Sequence, residues 1–437
     1  MIDWQPSSLA ELIDIKHGFA FKGQHFVDYQ TNDVLVTPGN FAIGGGFKSD
    51  KLKYYDGPVP DEYVLQPGDL IVTMTDLSKQ ADTLGYSAIV PKDGPRLLHN
   101  QRIGLVTSKD KAISLDFLGW LMRTPAYRNC VVGSATGSTV KHTSPTRIKE
   151  FEFLLPPENE QNSISATLNA LDHKIELNRR MNETLEAQAR ALFRDWFVDF
   201  GPVKAKMAGD TPYLAPDLWS LFPDRLGDAG VPEGWKFSPL TEHFEIIGGG
   251  TPKTSIADYW NGPIPWFSVV DTPSACDVFV FRTEKTITQE GIENSSARIV
   301  RAGTTIISAR GTVGNRAIAA QDLTFNQSCY ALQGLSGASD EFVYLAAGHM
   351  VDRLKSMAHG SVFSTITRKT FEGLSLAQPN EALHEAFRTI VSPLFSKIRA
   401  NVAESHTLAQ TRDLLLPKLM SGEIRVGEVS SKKLSAA

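Results

Sequence analysis

The amino-acid sequence contains the same unit twice. Gly137-Ser138 recurs as Gly360-Ser361 and Pro156 as Pro379, both at an offset of 223. The offset holds downstream, carrying Leu171 onto Leu394, Lys174-Ile175 onto Lys397-Ile398, Asn178 onto Asn401, Thr184-Leu185 onto Thr407-Leu408 and Leu192 onto Leu415. Upstream the match continues with shifts. Trp4 maps onto Trp235, and "VLVTPGN" onto "IPWFSVVD", at 231; "PGDLIVT" maps onto "AGTTIIS" at 235, "LGYSAIV" onto "VGNRAIA" at 229, and "HNQRIGL" onto "FNQSCYA" at 226. The shifts fall between blocks, where loops absorb changes of length. The largest sets "TMTDLSKQADTLG" against "SARGTVG". Such a chain folds as two copies of one architecture.

Within each copy, β-branched runs ("DLIVTMT", "TTIISAR", "RIGLVTS") bounded by Gly and Pro predict strands. "SLDFLGWLMRTPAYRNCVV" and "SDEFVYLAAGHMVDRLKSMA" predict helices. Pro156-Pro157 and Pro379 close the globular part, with Asn159 and Asn380 placed to cap the helix that follows. The expected organisation is a globular domain over 1–156, a long helix over 157–200 and a Pro/Gly-rich linker over 201–232. A second domain over 233–379, a second long helix over 380–421 and a flexible tail over 422–437 follow.

The two long helices carry one seam. Ile164, Leu168, Leu171 and Ile175 give way to Asn178 and Asn182, and the seam resumes with Leu185, Ala189, Leu192 and Trp196. In the second helix Phe387, Val391, Leu394 and Ile398 give way to Asn401 and Ser405, followed by Leu408, Arg412, Leu415 and Leu419. Steps of four and three are the heptad rhythm of a coiled coil. Helices related by a two-fold axis run antiparallel, so pairing about their midpoints brings Asn178 and Asn182 against Asn401 and Ser405. A slip of one heptad buries those amides against Leu or Ile, at roughly 1–3 kcal/mol per unsatisfied group. The four polar residues are therefore candidate register-setting positions. The seam from 164 to 196 spans ~48 Å at ~1.5 Å per residue. The fold class expected is α+β: a tandem pseudo-two-fold repeat, two mixed α/β domains joined by an antiparallel two-helix coiled coil.

Bulk properties exclude other classes. No apolar run approaches the ~18 residues of a membrane span. "MIDWQPSS" carries neither a basic segment nor a small-residue cleavage site, so a cytoplasmic chain is expected. Cys130, Cys276 and Cys329 form no metal-spaced pair and cannot all join in disulfides, which fits a reducing compartment. The net charge of −5 argues against a protein that coats DNA, but not against one whose basic residues share one face.

The ordered set of Trp4 and Trp235, "PGDLIVTMT" with "ISARGTVGNRAIA", the Gly-Ser loops at 137 and 360, "LPPENEQNSISATLNALDHKIELNRR" and "LFRDWFVDF" resembles the specificity subunit of type I restriction-modification enzymes. The likeness covers nearly the whole chain, departing where "QPNEAL" stands for "PPENEQ". It implies a target recognition domain over 1–156 and another over 233–379, each reading half of a bipartite DNA site. It also implies spacer helices that dock partner subunits. The implied partners are double-stranded DNA, two methyltransferase subunits and, where restriction occurs, an ATP-driven restriction/translocase subunit. No cofactor is expected in this chain; S-adenosylmethionine and ATP belong to the partners. The residues agree: "LPPE" lacks the Asn/Asp and the aromatic of an adenine methyltransferase motif, and "GGG" at 44–46 and 248–250 is no dinucleotide fingerprint. "ARGTVGNR" lacks the Lys-Ser/Thr of a phosphate loop, and His17, His99, His142 and His359 have no metal-ligand spacing.

Polar-basic loops recurring in both copies supply the candidate DNA contacts. They are Lys16, His17 and Lys22 in "KHGFAFKG" with Lys253 in "GGTPKTS"; Lys79 in "TMTDLSKQ" with Arg310, Asn315 and Arg316 in "SARGTVGNR"; and Lys141, His142 and Arg147 in "ATGSTVKHTSPTR" with Ser364 and Arg368 in "AHGSVFSTITR". Lys141, Arg310 and Arg316 are favoured. Asn100-Gln101 and Asn326-Gln327 are read as structural, because domains with different targets should not share readers. Two other functions stay open: a DNA-reading subunit of a modification-only or phage-exclusion system, and a coiled-coil adaptor that binds only protein.

Overall fold

A computed structural model describes residues 4–49, 51–78, 80–109, 112–228, 230–274, 276–335, 337–357 and 365–426. The chain divides into two compact units, Met1–His173 with Leu408–Ala437, and Lys174–Thr407. Two helices of 40 residues, Glu158–Phe197 and Glu381–Met420, each contribute to both units. No described helix is long and apolar enough to cross a membrane.

In the first unit a four-stranded sheet runs in the order Ile13–His17, Ile103–Ser108, Leu70–Thr73, Ser87–Ile89, every neighbour antiparallel. A second sheet joins Phe26–Val27, Lys53–Tyr55, Asp33–Val36 and Arg96–His99. The stretch expected as one helix from Ser114 is two, Leu115–Leu121 and Pro125–Gly133. The Thr124 hydroxyl accepts from the Tyr127 amide, and Pro125, lacking an N–H, fits only the first turn of a new helix. The core joins Leu70, Val72, Phe117, Tyr127 and Ile148 to Ile164 and Leu168 of the first long helix and Leu416 and Leu419 of the second. The expected flexible tail is not loose at its start: Ile424 and Val426 pack on that same core beside Trp4. Residues 427–437 lie outside the described residues.

The second unit repeats the design. Phe244–Gly248, Cys329–Gly334, Thr305–Ser308 and Arg316–Ala319 form antiparallel neighbours, with Phe279–Val280 added in parallel. The registers obey the sequence offsets. His17 faces Gly104 as Gly248 faces Tyr330, and Thr73 faces Ile103 as Ser308 faces Cys329. Here the helix Asp340–Met357 is continuous. An aromatic cluster of Phe193, Trp196, Phe197, Phe342 and Phe387 fixes both long helices to the globular part. The expected linker is also packed. Gly201–Ala208 is helical, Val203 and Phe222 are buried in the unit's core, and Lys206 Nζ reaches Asp224 at 2.9 Å. Two of its prolines, Pro202 and Pro216, stand in the first turns of helices, where a missing N–H costs nothing.

The polar interruption of the seam lies inside this unit. Asn178, Asn182 and Asn401 are each at most 1% exposed. Asn401 Nδ2 donates to Asn182 Oδ1 at 2.9 Å. Asn178 Nδ2 donates to Glu404 Oε2 at 2.8 Å and to Ser405 Oγ at 3.3 Å. The bond from Asn178, and then that from Lys174, hold the Glu404 carboxyl below its ordinary value. The amide oxygens of Asn178 and Asn401 have no partner in the structure. Two expectations need correction. Asn380 Oδ1 caps the second helix by accepting from Leu383 N at 2.9 Å, but Asn159 lies within the first helical turn, the helix starting at Glu158. Near the end of the second helix Leu416 replaces Leu415 as the buried residue, because a straight helix of 3.6 residues per turn drifts off a seven-residue repeat.

Candidate nucleic-acid interface

Antiparallel register alone gathers the polar loops. In the first unit the C-terminal ends of Ile13–His17 and Leu70–Thr73 and the N-terminal end of Ile103–Ser108 lie at one end of the sheet. The loops beginning at Gly18 and Met74 and the turn at Asn100–Arg102 therefore emerge together. A fourth segment is tied to them: Thr143 N donates to the Met74 carbonyl at 3.0 Å, and Lys141 and His142 pair with Asp76 and Thr75. The second unit builds the same end. Gly248, Ser308 and Cys329 are neighbours in register, and Ile366 N donates to the Ala309 carbonyl at 3.0 Å.

The supports under these loops match between copies. A Cβ on Gly18 would lie 2.2 Å from the Asn100 carbonyl oxygen, and one on Gly249 2.1 Å from that of Asn326, so both positions exclude a side chain. Asn100 Oδ1 accepts from Arg102 N, and Asn326 Oδ1 from Ser328 N, each at 3.1 Å. Both asparagines thus close a turn beneath the loops with their own side chains.

Several candidates stand exposed at this end. Lys22, His17 and His142 are exposed in the first unit, His142 Nδ1 lying 3.2 Å from Thr75 Oγ1. Lys141 is half-buried on the strand paired with Asp76, and Arg147 reaches Thr136 Oγ1 at 3.3 Å. Lys16 is bound to Glu62 at 2.9 Å and lies over the Tyr63 ring. In the second unit Lys253, Arg310, Asn315 and Arg368 are exposed. Lys79 and Ser364 lie outside the described residues.

Arg316 is a correction. Its guanidinium turns inward over the Tyr344 ring at 4.5 Å and pairs with Glu186 of the first long helix at 3.4 Å. Glu186 is 5% exposed and also accepts from Arg190 Nη2 at 2.9 Å and the Tyr344 hydroxyl at 3.3 Å. Burial pushes the Tyr344 phenol upward, keeping it a donor. Gly348 makes room, since a Cβ there would lie 2.7 Å from the guanidinium. Arg316 therefore anchors the globular part to the helix, unlike the candidates whose side chains stand exposed at the loop end. The first unit makes an analogous anchor with other residues: Asp172 pairs with Arg123 at 3.0 Å and Arg412 at 2.5 Å, and Arg123 stacks on Trp120.

Sequence reasoning also passed over Asp76, whose carboxylate orders the loop after Leu70–Thr73. Its signal was present: an Asp two residues before a Ser, in a loop longer than its counterpart. Among the described residues no cluster of His, Cys, Asp and Glu could hold a metal ion.

Comparison with known proteins gives a consistent picture. The model of the type I restriction modification DNA specificity domain matches residues 1–187 and again 232–399. The type I restriction enzyme HindI specificity subunit of Haemophilus influenzae is 24% identical over 97% of this chain and 100% of that protein. The MjaIX specificity subunit of Methanocaldococcus jannaschii is 24% identical over 79% of this chain and 76% of its own length. The crystal structure of the type I restriction-modification S subunit from M. genitalium superposes with a TM-score of 0.54 at 16% identity, covering 96% of each chain, which marks a shared fold.

Proposed function

Because the chain belongs to the type I restriction modification DNA specificity family, we propose that its two globular parts read the two halves of a bipartite double-stranded DNA site. The chain supplies sequence recognition and no catalysis. Base flipping and methyl transfer then fall to partner methyltransferase subunits docked on the long helices, with S-adenosylmethionine bound there. A restriction/translocase subunit, where one exists, brings ATP. DNA as substrate and three free cysteines suit the cytoplasm.

One observation carries the reading. The same sheet end, in the same register, carries different loops in the two copies: after Thr73 a long loop ordered by Asp76 and exposing Leu77, after Ser308 a tight turn exposing Arg310 and Asn315. A repeated scaffold under divergent contacts is what reading two different half-sites requires. The helices act as the ruler between the halves.

The test is an exchange of residues 1–156 for the equivalent domain of another family member, read by mapping methylated adenines with the methyltransferase co-expressed. One half of the motif should change and the other stay. A change in both halves, or in neither, refutes independent reading.

A further inference from the structure

Asp76 and Leu77 reverse the usual order of burial. The aspartate is 4% exposed and the leucine beside it 65%. A carboxylate is buried at a cost unless its oxygens are bonded. Here Ser78 N donates to Oδ1 at 2.6 Å, Thr83 Oγ1 donates to Oδ2 at 2.7 Å, and Thr83 N donates to Oδ2 as well. Burial pushes this carboxyl up, but the bonds from Ser78 and Thr83 outweigh it and hold the group below its ordinary value. The far side of the loop is fixed too. Arg128 Nη2 donates to the Ala81 carbonyl at 2.7 Å with its guanidinium over the Tyr86 ring, and Ala81 takes a left-handed φ of 57°. A lone exposed leucine needs no explanation. A leucine held in water by a buried carboxylate and a strained alanine does.

We propose that Leu77 is a specificity-determining residue that reads a thymine in the half-site of the first copy, by contact with the 5-methyl group in the major groove. This rests on the sheet end being the DNA face. The thymine methyl is the apolar feature of the base edges in that groove. Lys141, whose backbone pairs with Asp76, and His142 border the loop. Whatever covers Leu77 therefore also meets polar hydrogen-bonding groups, the exposed His142 ring among them, which fits the edges of base pairs better than an apolar protein face. The second copy has no equivalent: its turn is shorter and presents Arg310, a side chain suited to guanine. Because Asp76 beside it is already held by Ser78 and Thr83, little entropy is lost when Leu77 is covered.

The test starts from the motif that the full-length chain, assembled with its methyltransferase, selects from random duplex DNA. Each thymine is then replaced by uracil, which lacks only the methyl. At one position, in the half that changes when residues 1–156 are exchanged, uracil should weaken wild-type binding about fourfold. Leu77→Ala should lose a similar factor on thymine DNA and become indifferent to that uracil, with an unchanged thermal midpoint as the folding control. The proposal is overturned if that half contains no thymine, if every uracil is neutral, or if Leu77→Ala keeps the wild-type response to uracil. It is equally overturned if Leu77→Ala weakens assembly with the methyltransferase and spares DNA affinity, since Leu77 is then a protein contact. Selection of no motif at all strikes instead at the DNA-reading function, and at this proposal with it.

Discussion

Replacing Asn178, Asn182, Asn401 and Ser405 together by leucine should make the second unit more stable and less specific in its helix pairing. The reasoning follows from the bonds in the layer. The Asn401–Asn182 bond contributes about 1 kcal/mol net, and the bond from Asn178 to the solvent-screened Glu404 carboxylate about 1 kcal/mol more. Against these stand the Asn178 and Asn401 amide oxygens, buried without partners at about 1–3 kcal/mol each. The layer therefore stabilises little. Four leucines bring roughly 1.5–3 kcal/mol each where fully buried, less the cost of overpacking, so a net gain of about 3–6 kcal/mol is expected. Asn182→Ala alone should act in the opposite direction. It leaves the whole Asn401 amide unpaired and costs roughly 2–3 kcal/mol. What the quadruple variant loses is the penalty on slippage. A heptad shift in the native protein sets Asn178 against Ile398 or Leu408; after substitution leucine meets isoleucine or leucine there. Spin labels at residues 174 and 404, which face each other in the native ion pair, should then report a second population displaced by about 10 Å. A single native distance in the quadruple variant, or an Asn182→Ala variant as stable as wild type, refutes the register role.

Arg310→Ala should reduce specific DNA affinity about tenfold and leave thermal stability unchanged, whereas Arg316→Met should destabilise the second unit by roughly 1–2 kcal/mol, because Glu186 loses one cationic partner and keeps Arg190 and the Tyr344 hydroxyl; melting curves and binding titrations separate the two. Burial, and then the neighbouring His243, push His384 down to about 4 from 6.5, so the unfolded chain binds more protons between these values and stability is lost as pH falls through that window. About 2 kcal/mol should go between pH 6.5 and 5, and His384→Phe should flatten the dependence; an unchanged slope in chemical denaturation refutes it. Adding one heptad to both long helices should widen the unread gap of the methylated motif by about three base pairs, and an unchanged gap defeats the ruler.

The features legible in sequence were those written as periods and repeats. The seam showed because a seven-residue rhythm survives in composition, and the strands showed because β-branched runs lay between glycines. The duplicated blocks even carried the strand registers, since His17, Thr73, Gly104 and their partners keep their offsets. What stayed hidden depends on distant partners. Arg316 reads as one more loop cation until Glu186, far away in sequence, appears beneath it. The 201–232 segment reads as slack because prolines dominate it, yet Val203 and Phe222 find a core built from both long helices. The break at Thr124-Pro125 was visible in principle, a capping threonine before a first-turn proline, but the apolar pattern across it was strong enough to read as one helix.

The first unit is discontinuous in sequence, and this dictates the order of its synthesis. Leu416, Leu419 and Met420, with Ile424 and Val426 packed beside them, complete a core whose remaining members end at Leu168. A ribosome adding about 5–20 residues per second takes roughly 12–50 s to cover the distance between them. Throughout that interval the amino-terminal domain is displayed with an unfinished apolar face, exposed to chaperones and proteases. Loss of the helix Glu381–Met420 therefore injures the first unit as well as the second.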